Sequence, residues 1–202
     1  VLSFVDRFRY RKSKGDKDFS NLIRNFSLEP LIVVKRGIFG KKSRIAGIKT
    51  EERFAKVLVH YRKTSGATTL DYWGIIILFR DSIPKFKISA KTILSFLSFS
   101  RIKYENDYLK KNYTIQCPND GWFRDTFPGN RLKKVLKQAE GFETIKTMNF
   151  FPFPLKRASE LDMFYRDRIL LMEYRGSVYR TDKIPEVILS ADLLGKTISE
   201  RV

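Results

Sequence analysis

The stretch from Arg53 to Arg80 restricts what this chain can fold into more than any other. Phe54, Val57, Val59 and Tyr61 are apolar at mostly alternate positions, with Arg53, Lys56 and His60 between them. Leu70 to Arg80 follows as a run dense in β-branched and aromatic residues, and Pro84 closes it. Alternation with a period of two marks a half-buried strand, and a continuous apolar run of strand length marks a fully buried one. The residues between, Arg62 to Thr69, include Gly66 and read as the connection of a β-hairpin.

Other segments follow the same logic. Leu31–Val34 reads as a buried strand between Pro30 and Gly37, and Tyr113–Cys117 as another, ended by a Pro118–Gly121 turn. Asn130 reads as the N-cap of a helix from Arg131 to Glu140, with Gly141 at its C-terminal end. Leu132, Val135, Leu136 and Ala139 form the inward stripe of that helix, and Lys133, Lys134 and Lys137 lie mostly on its other side. Ser89–Phe99 fits either a helix or a strand, and Thr144–Phe150 reads as a short extended piece. Arg168–Tyr174 and Ser177–Arg180 read as a second hairpin around Gly176. Pro185 opens a final helix to Glu200, whose Val187, Ile188, Ala191, Leu194 and Ile198 share one face.

The expected fold class is therefore α+β: a mostly antiparallel sheet with a C-terminal helix and at least one further helix packed on it. Residues 1–28 read as a basic N-terminal arm or juxtamembrane segment, and 29–202 as a single α+β domain. Within that domain, 29–157 form a basic body and 158–202 a neutral C-terminal module. The charge count supports the division. The 202 residues carry 40 Lys and Arg against 22 Asp and Glu, yet Ala158–Val202 holds 7 basic and 8 acidic residues. A charge excess gathered in one part of a chain implies a surface that attracts polyanions.

Several chemistries lack their residues. Cys117 is the only cysteine and His60 the only histidine, so there is no internal disulfide and no Cys/His zinc site, which needs about four ligands. Cys117, in a strand-like run, reads as a small buried residue rather than a nucleophile. Asp71 and Asp81 flank the central strand without the further acid and lysine of a metal nuclease. Phosphate-loop and dinucleotide signatures are absent. No cofactor, metal or catalytic residue is expected, and the chain reads as a binding domain rather than an enzyme.

The expected anion-binding surface comprises Arg7, Arg9, Arg11, Lys12 and Lys14 in the arm, and Lys35, Arg36, Lys41, Lys42 and Arg44 around a glycine-containing loop. Lys133, Lys134 and Lys137 of the 131–140 helix complete it. Phe150, Phe151 and Phe153, held rigid by Pro152 and Pro154, form a docking loop if exposed and a core plug if not. Aromatic residues interleave with cations around Phe8, Tyr104, Tyr108, Tyr113 and Trp122, a pattern that can stack bases when exposed.

No apolar run approaches the roughly 20 residues that span a bilayer. The apolar opening Val1–Val5 followed by Arg7–Lys17 has the form of a cytoplasmic segment just after a transmembrane helix. That basic start, the Tyr72–Phe79 strand and the final helix together resemble domains that follow transmembrane segments in bacterial proteins and face the cytoplasm. The expected function is a non-enzymatic cytoplasmic domain held at an anionic membrane surface or by an acidic protein. A nucleic-acid- or ribosome-associated protein is the alternative, and an enzyme acting on an anionic substrate the second alternative.

Overall fold

The computed structural model describes residues 29–34, 43–50, 53–65, 68–91, 102–139, 141–149, 165–175 and 184–202. Among them are eight strands: β1 (Glu29–Val34), β2 (Ser43–Thr50), β3 (Phe54–Ser65), β4 (Thr68–Phe79), β5 (Lys87–Ala90), β6 (Tyr113–Gln116), β7 (Thr144–Met148) and β8 (Tyr165–Arg175). Four helices accompany them: α1 (Asp107–Asn112), α2 (Asp120–Thr126), α3 (Gly129–Gln138) and α4 (Ile184–Ser199). The strands form one sheet in the order β1-β2-β3-β4-β8-β7-β5-β6. Every neighbouring pair is antiparallel. The protein is thus an α+β fold with a C-terminal helix and further helices on an antiparallel sheet.

The hairpin from Arg53 to Arg80 is its longest ladder. The register runs from Phe54↔Phe79 to Ser65↔Thr68, so the connection shortens from the eight residues read in the sequence to Gly66-Ala67. Polarity misplaces that boundary: Arg62, Lys63, Thr64 and Ser65 keep strand pairing because their backbone groups find partners on β4, whatever the side chains. Lys56 also departs from its expected place on a wetted face. It is 2% exposed and bridged to Asp192 of α4, which satisfies a cation the sheet has taken out of water.

Alternation sorts the central strands into two faces. Phe54 and Leu58, then Trp73, Ile75, Ile77 and Phe79, then Leu170, Met172 and Tyr174 join one buried cluster. The buried residues of all four helices join the same cluster: Leu109, Phe123, Leu132, Val135, Leu136, Ala191, Leu194 and Ile198. Their opposite-facing neighbours Val57, Ile76, Leu78, Ile169 and Leu171 are buried as well. A strand buried on both sides needs a continuous apolar run, as β4 has; β3 is buried on both faces from Phe54 to Val59 as well, so it is not the half-buried strand its alternation suggested.

β8 is contributed by the neutral C-terminal stretch and lies between β4 and β7. Ser177–Arg180, the second arm of the hairpin expected around Gly176, falls outside the described residues. The observed neighbours of the first arm are Ile75↔Met172 on one side and Ile145↔Met172 on the other. The 131–140 helix begins two residues early. Pro128 is its N-cap and offers no side-chain bond, so Asn130 caps nothing. Packing sets that boundary: Gly129 lies against the Tyr104 ring, where a Cβ would stand 3.3 Å from Cδ1. Gly141, at φ 91°, takes the left-handed conformation expected after the helix.

Two short helices went unread. The Pro118–Gly121 turn is the start of α2, where Asn119 Oδ1 accepts from the Trp122 N–H at 3.0 Å and Asp120 meets Arg124 at 2.9 Å. Phe123 and Phe127 then pack edge-on against Phe86. Among the described residues no helix is long and apolar enough to cross a membrane.

α4 is seated by three contacts with the start of the hairpin. Arg53 donates to the Ser199 carbonyl at 3.1 Å, Lys56 pairs with Asp192, and Gly195 lies directly on the Phe54 ring. A glycine in an exposed helix gains about 1 kcal/mol on replacement by alanine. At Gly195 the added methyl would enter the ring, so Gly195→Ala is expected to cost about 1–3 kcal/mol instead. The urea midpoint would read this, and an unchanged or raised midpoint would contradict the contact.

Burial also sets an alkaline limit. The Tyr104 hydroxyl donates to the Phe127 carbonyl at 2.8 Å and the Tyr174 hydroxyl to the Ala139 carbonyl at 3.3 Å. Loss of water around both phenols raises them well above the ordinary tyrosine range. The unfolded value is about 10, so their contribution is complete below that pH and is lost as the pH climbs toward the higher folded values. Urea midpoints are expected to fall above pH 10, and Tyr174→Phe to flatten that decline.

Candidate anion-binding face

α1 is six residues long and would not hold by propensity alone. Asn106 caps it, its Oδ1 accepting from the N–H groups of Tyr108 at 3.1 Å and Leu109 at 3.4 Å. Leu109 is buried against the core, and Asn112 Nδ2 donates back to the Tyr108 carbonyl at 2.8 Å. These contacts fix Tyr108 beside α3. Its hydroxyl lies 3.4 Å from that of Tyr113, whose ring stacks on Phe142 with centroids 5.4 Å apart and planes 5° from parallel.

The cations gather on this support. Lys133 Nζ and Lys137 Nζ lie 5.9 and 5.4 Å from the centre of the Tyr108 ring. Lys134 is exposed on the next position of α3, and Lys110 and Lys111 are exposed on the last turn of α1. Lys91 follows β5; its N–H donates to the Asn112 carbonyl at 2.8 Å and its ammonium to the Lys110 carbonyl. Among the described residues, Lys91, Lys111, Lys133, Lys134 and Lys137 make no ion pair, and Lys110 meets only the fully exposed Asp107 at 3.9 Å. An exposed pair of that length contributes almost nothing.

Magnitudes explain how two like charges share one ring. Cations four apart on a helix repel by about 0.2–0.5 kcal/mol, whereas each ammonium over an exposed aromatic face gains about 0.5–1 kcal/mol. Attraction to Tyr108 therefore offsets the repulsion between Lys133 and Lys137. Four other described cations are paired: Arg131 with Glu200 at 3.1 Å, Arg124 with Asp120, Lys56 with Asp192, and Lys146 with Glu173 at 3.6 Å.

Of the surface expected from sequence, Lys133, Lys134 and Lys137 converge here. Arg44 is in β2 opposite His60 and Val33, on the far side of the sheet from β5 and β6. Arg7, Arg9, Arg11, Lys12, Lys14, Lys35, Arg36, Lys41 and Lys42 lie outside the described residues, as do Phe150, Phe151 and Phe153. Lys91 was missed, and Lys110 and Lys111 were read only as cations interleaved with Tyr108 and Tyr113. Asn106-Asp107 followed by Lys110-Lys111 has the polarity of a helix, acid first and base last, and was the available signal.

Of the aromatics expected to stack bases, Phe8 lies outside the described residues and the others are engaged within the fold. Tyr104 is buried, Tyr113 lies on Phe142, and Trp122 joins Phe86, Phe123 and Phe127. Tyr108 lies under two lysines. Two residue pairs considered for catalysis do not converge. Asp71 and Asp81 stand at opposite ends of β4, about 30 Å apart at the usual rise of a strand. His60 in β3 and Cys117 just beyond β6 are separated by β4, β8, β7 and β5, roughly 24 Å of sheet. Cys117 Sγ–H is turned inward toward the carbonyls of Lys85 and Asn119, and burial pushes the thiol up, away from its nucleophilic form. No group of three or more metal-ligating side chains occurs among the described residues.

The chain matches no protein-family model, no curated protein and no solved structure. The reading of this face therefore stands on its own geometry.

The cap of α1 should be needed to hold the face together. Asn106→Ala is expected to cost about 1 kcal/mol. It should also raise amide exchange in Tyr108–Asn112 relative to the sheet, as read by hydrogen exchange. Uniform exchange across both regions would show that α1 is held by its other contacts.

Proposed function

We propose that the protein is a non-enzymatic binding domain whose α1–α3 lysine face docks on an anionic membrane surface. One observation carries this reading: Lys133 and Lys137 lie over the Tyr108 ring, Lys110 and Lys111 are exposed on the helix that holds Tyr108 and Lys134 is exposed on α3, and Asp107 is their only ion-pair partner among the described residues. The cations are all lysines. Lysine acts as a compact point charge, suited to a fluid layer of anionic headgroups, and lacks the planar fork with which arginine reads one fixed acceptor. The engagement of Tyr104, Tyr113 and Trp122 weighs in the same direction, because these rings are taken up by the core or by neighbouring rings. The expected placement is the cytoplasmic face of a membrane, where the basic residues 7–17 would add to the same attraction. A duplex backbone satisfies the same charges without stacking, so nucleic-acid association is the reading to be tested against it.

Each lysine near an anionic surface contributes about 1 kcal/mol. Lys133→Ala, Lys134→Ala and Lys137→Ala combined are therefore expected to weaken binding to phosphatidylserine-containing vesicles on the order of a hundredfold. Vesicle co-sedimentation measures this, with neutral phosphatidylcholine vesicles as the background. The three arginine replacements should retain binding, and binding should fall steeply between low and physiological salt. Failure to bind anionic vesicles at low salt would overturn the membrane reading. A salt-sensitive gel shift with duplex DNA in that case would establish the alternative.

A further inference from the structure

We infer that Lys133, Lys137 and Tyr108 form a clamp selective for a phosphomonoester, the doubly charged phosphate, over singly charged phosphodiesters and carboxylates. The inference rests on the anionic-surface reading above and names the headgroup chemistry that the face prefers. Both ammoniums lie within 6 Å of the centre of one ring, Lys133 at 5.9 Å and Lys137 at 5.4 Å. Positions four apart on a helix place their Cβ atoms about 5–6 Å from each other, so both flexible stems reach a common anion. Neither ammonium has a carboxylate partner among the described residues. Among the described residues the pair is thus a dication without an acidic partner, held together by a ring that is itself fixed through the Tyr113 hydroxyl at 3.4 Å and by the Asn106 cap.

A dication discriminates by charge. A monoanion between the two ammoniums neutralises one and leaves the other repelled; a dianion neutralises both. A phosphomonoester carries about −1.5 to −2 at neutral pH, with its second pKa near 6, and offers three oxygens to the two donors. Lys111 and Lys134 flank the clamp and are both exposed. They add attraction to any anion without distinguishing its valence.

The test compares vesicles containing phosphatidate with vesicles containing phosphatidylglycerol, adjusted to equal surface potential. The full chain is expected to bind phosphatidate about tenfold more tightly, and the preference to shrink as the pH falls through about 6, where the phosphomonoester loses its second charge. Lys133→Gln with Lys137→Gln should abolish the preference. Lys111→Gln with Lys134→Gln should weaken binding to both vesicles and keep it. Tyr108→Phe retains the ring and should retain the selectivity. Loss of selectivity only in Tyr108→Leu, with circular dichroism unchanged, assigns the positioning to the ring. Equal binding of the unaltered chain to both vesicles would overturn the clamp and leave the anionic-surface reading standing. Binding to neither would remove both. Glycerol 3-phosphate in solution distinguishes the sources: displacement from phosphatidate vesicles at about millimolar concentration, the weak affinity expected of one small anion, marks a free phosphomonoester as a sufficient ligand. No displacement marks the headgroup in its membrane.

Discussion

The pairing of β8 with both β4 and β7 is the joint on which the structure depends. β1 to β4 form a continuous meander, and β5, β6 and β7 form a smaller three-stranded group; no other described strand links the two. β8 supplies Leu170 to Glu173 to both neighbours at once, and its Leu170, Met172 and Tyr174 project into the cluster that receives all four helices. Removing this strand would break two ladders and open the core in the same step. The partners come from distant parts of the chain, so the sheet closes only after residues near 170 are made. Pairings of such long sequence separation fold slowly.

Everything on the helical face is arranged against that cluster. α4 crosses the hairpin through an ion pair, a carbonyl contact and a glycine pressed on an aromatic ring. α3 sends Leu132, Val135 and Leu136 into the core, leaving its lysines to face outward. α1 is too short to stand unaided and is held by its cap, by Leu109 and by Tyr108. The lysine face is therefore a consequence of packing. The inward stripe of α3 sets where its cations emerge, and Tyr108 gathers two of them from across the gap between the helices.

Particular residues show how far the sequence was legible. The inward stripe of α3 followed from its 3–4 spacing, and that stripe leaves Lys134 and Lys137 exposed and Lys133 half-buried. The alternation of β3 announced the hairpin, but Lys56 looked like a wetted position because periodicity cannot see Asp192, 136 residues later. Tyr104, Tyr113 and Trp122 read equally well as stacking surfaces or as core. Exposure decides between those readings, and it depends on which elements come to lie above each ring.

The sequence by itself determined the fold class, the inward stripes of α3 and α4, the absence of zinc-site residues and the size of the cationic excess. These follow from local periodicity and from counting, which need no knowledge of distant neighbours. Tertiary structure alone decided the place of β8 in the sheet, the burial of Lys56 and the gathering of Lys91, Lys110 and Lys111 with the lysines of α3. It also decided that Asp71 and Asp81, and likewise His60 and Cys117, stand too far apart to act together. Each of these is a relation between residues far apart in the chain, fixed by register and packing, and no local pattern encodes a distance across a sheet.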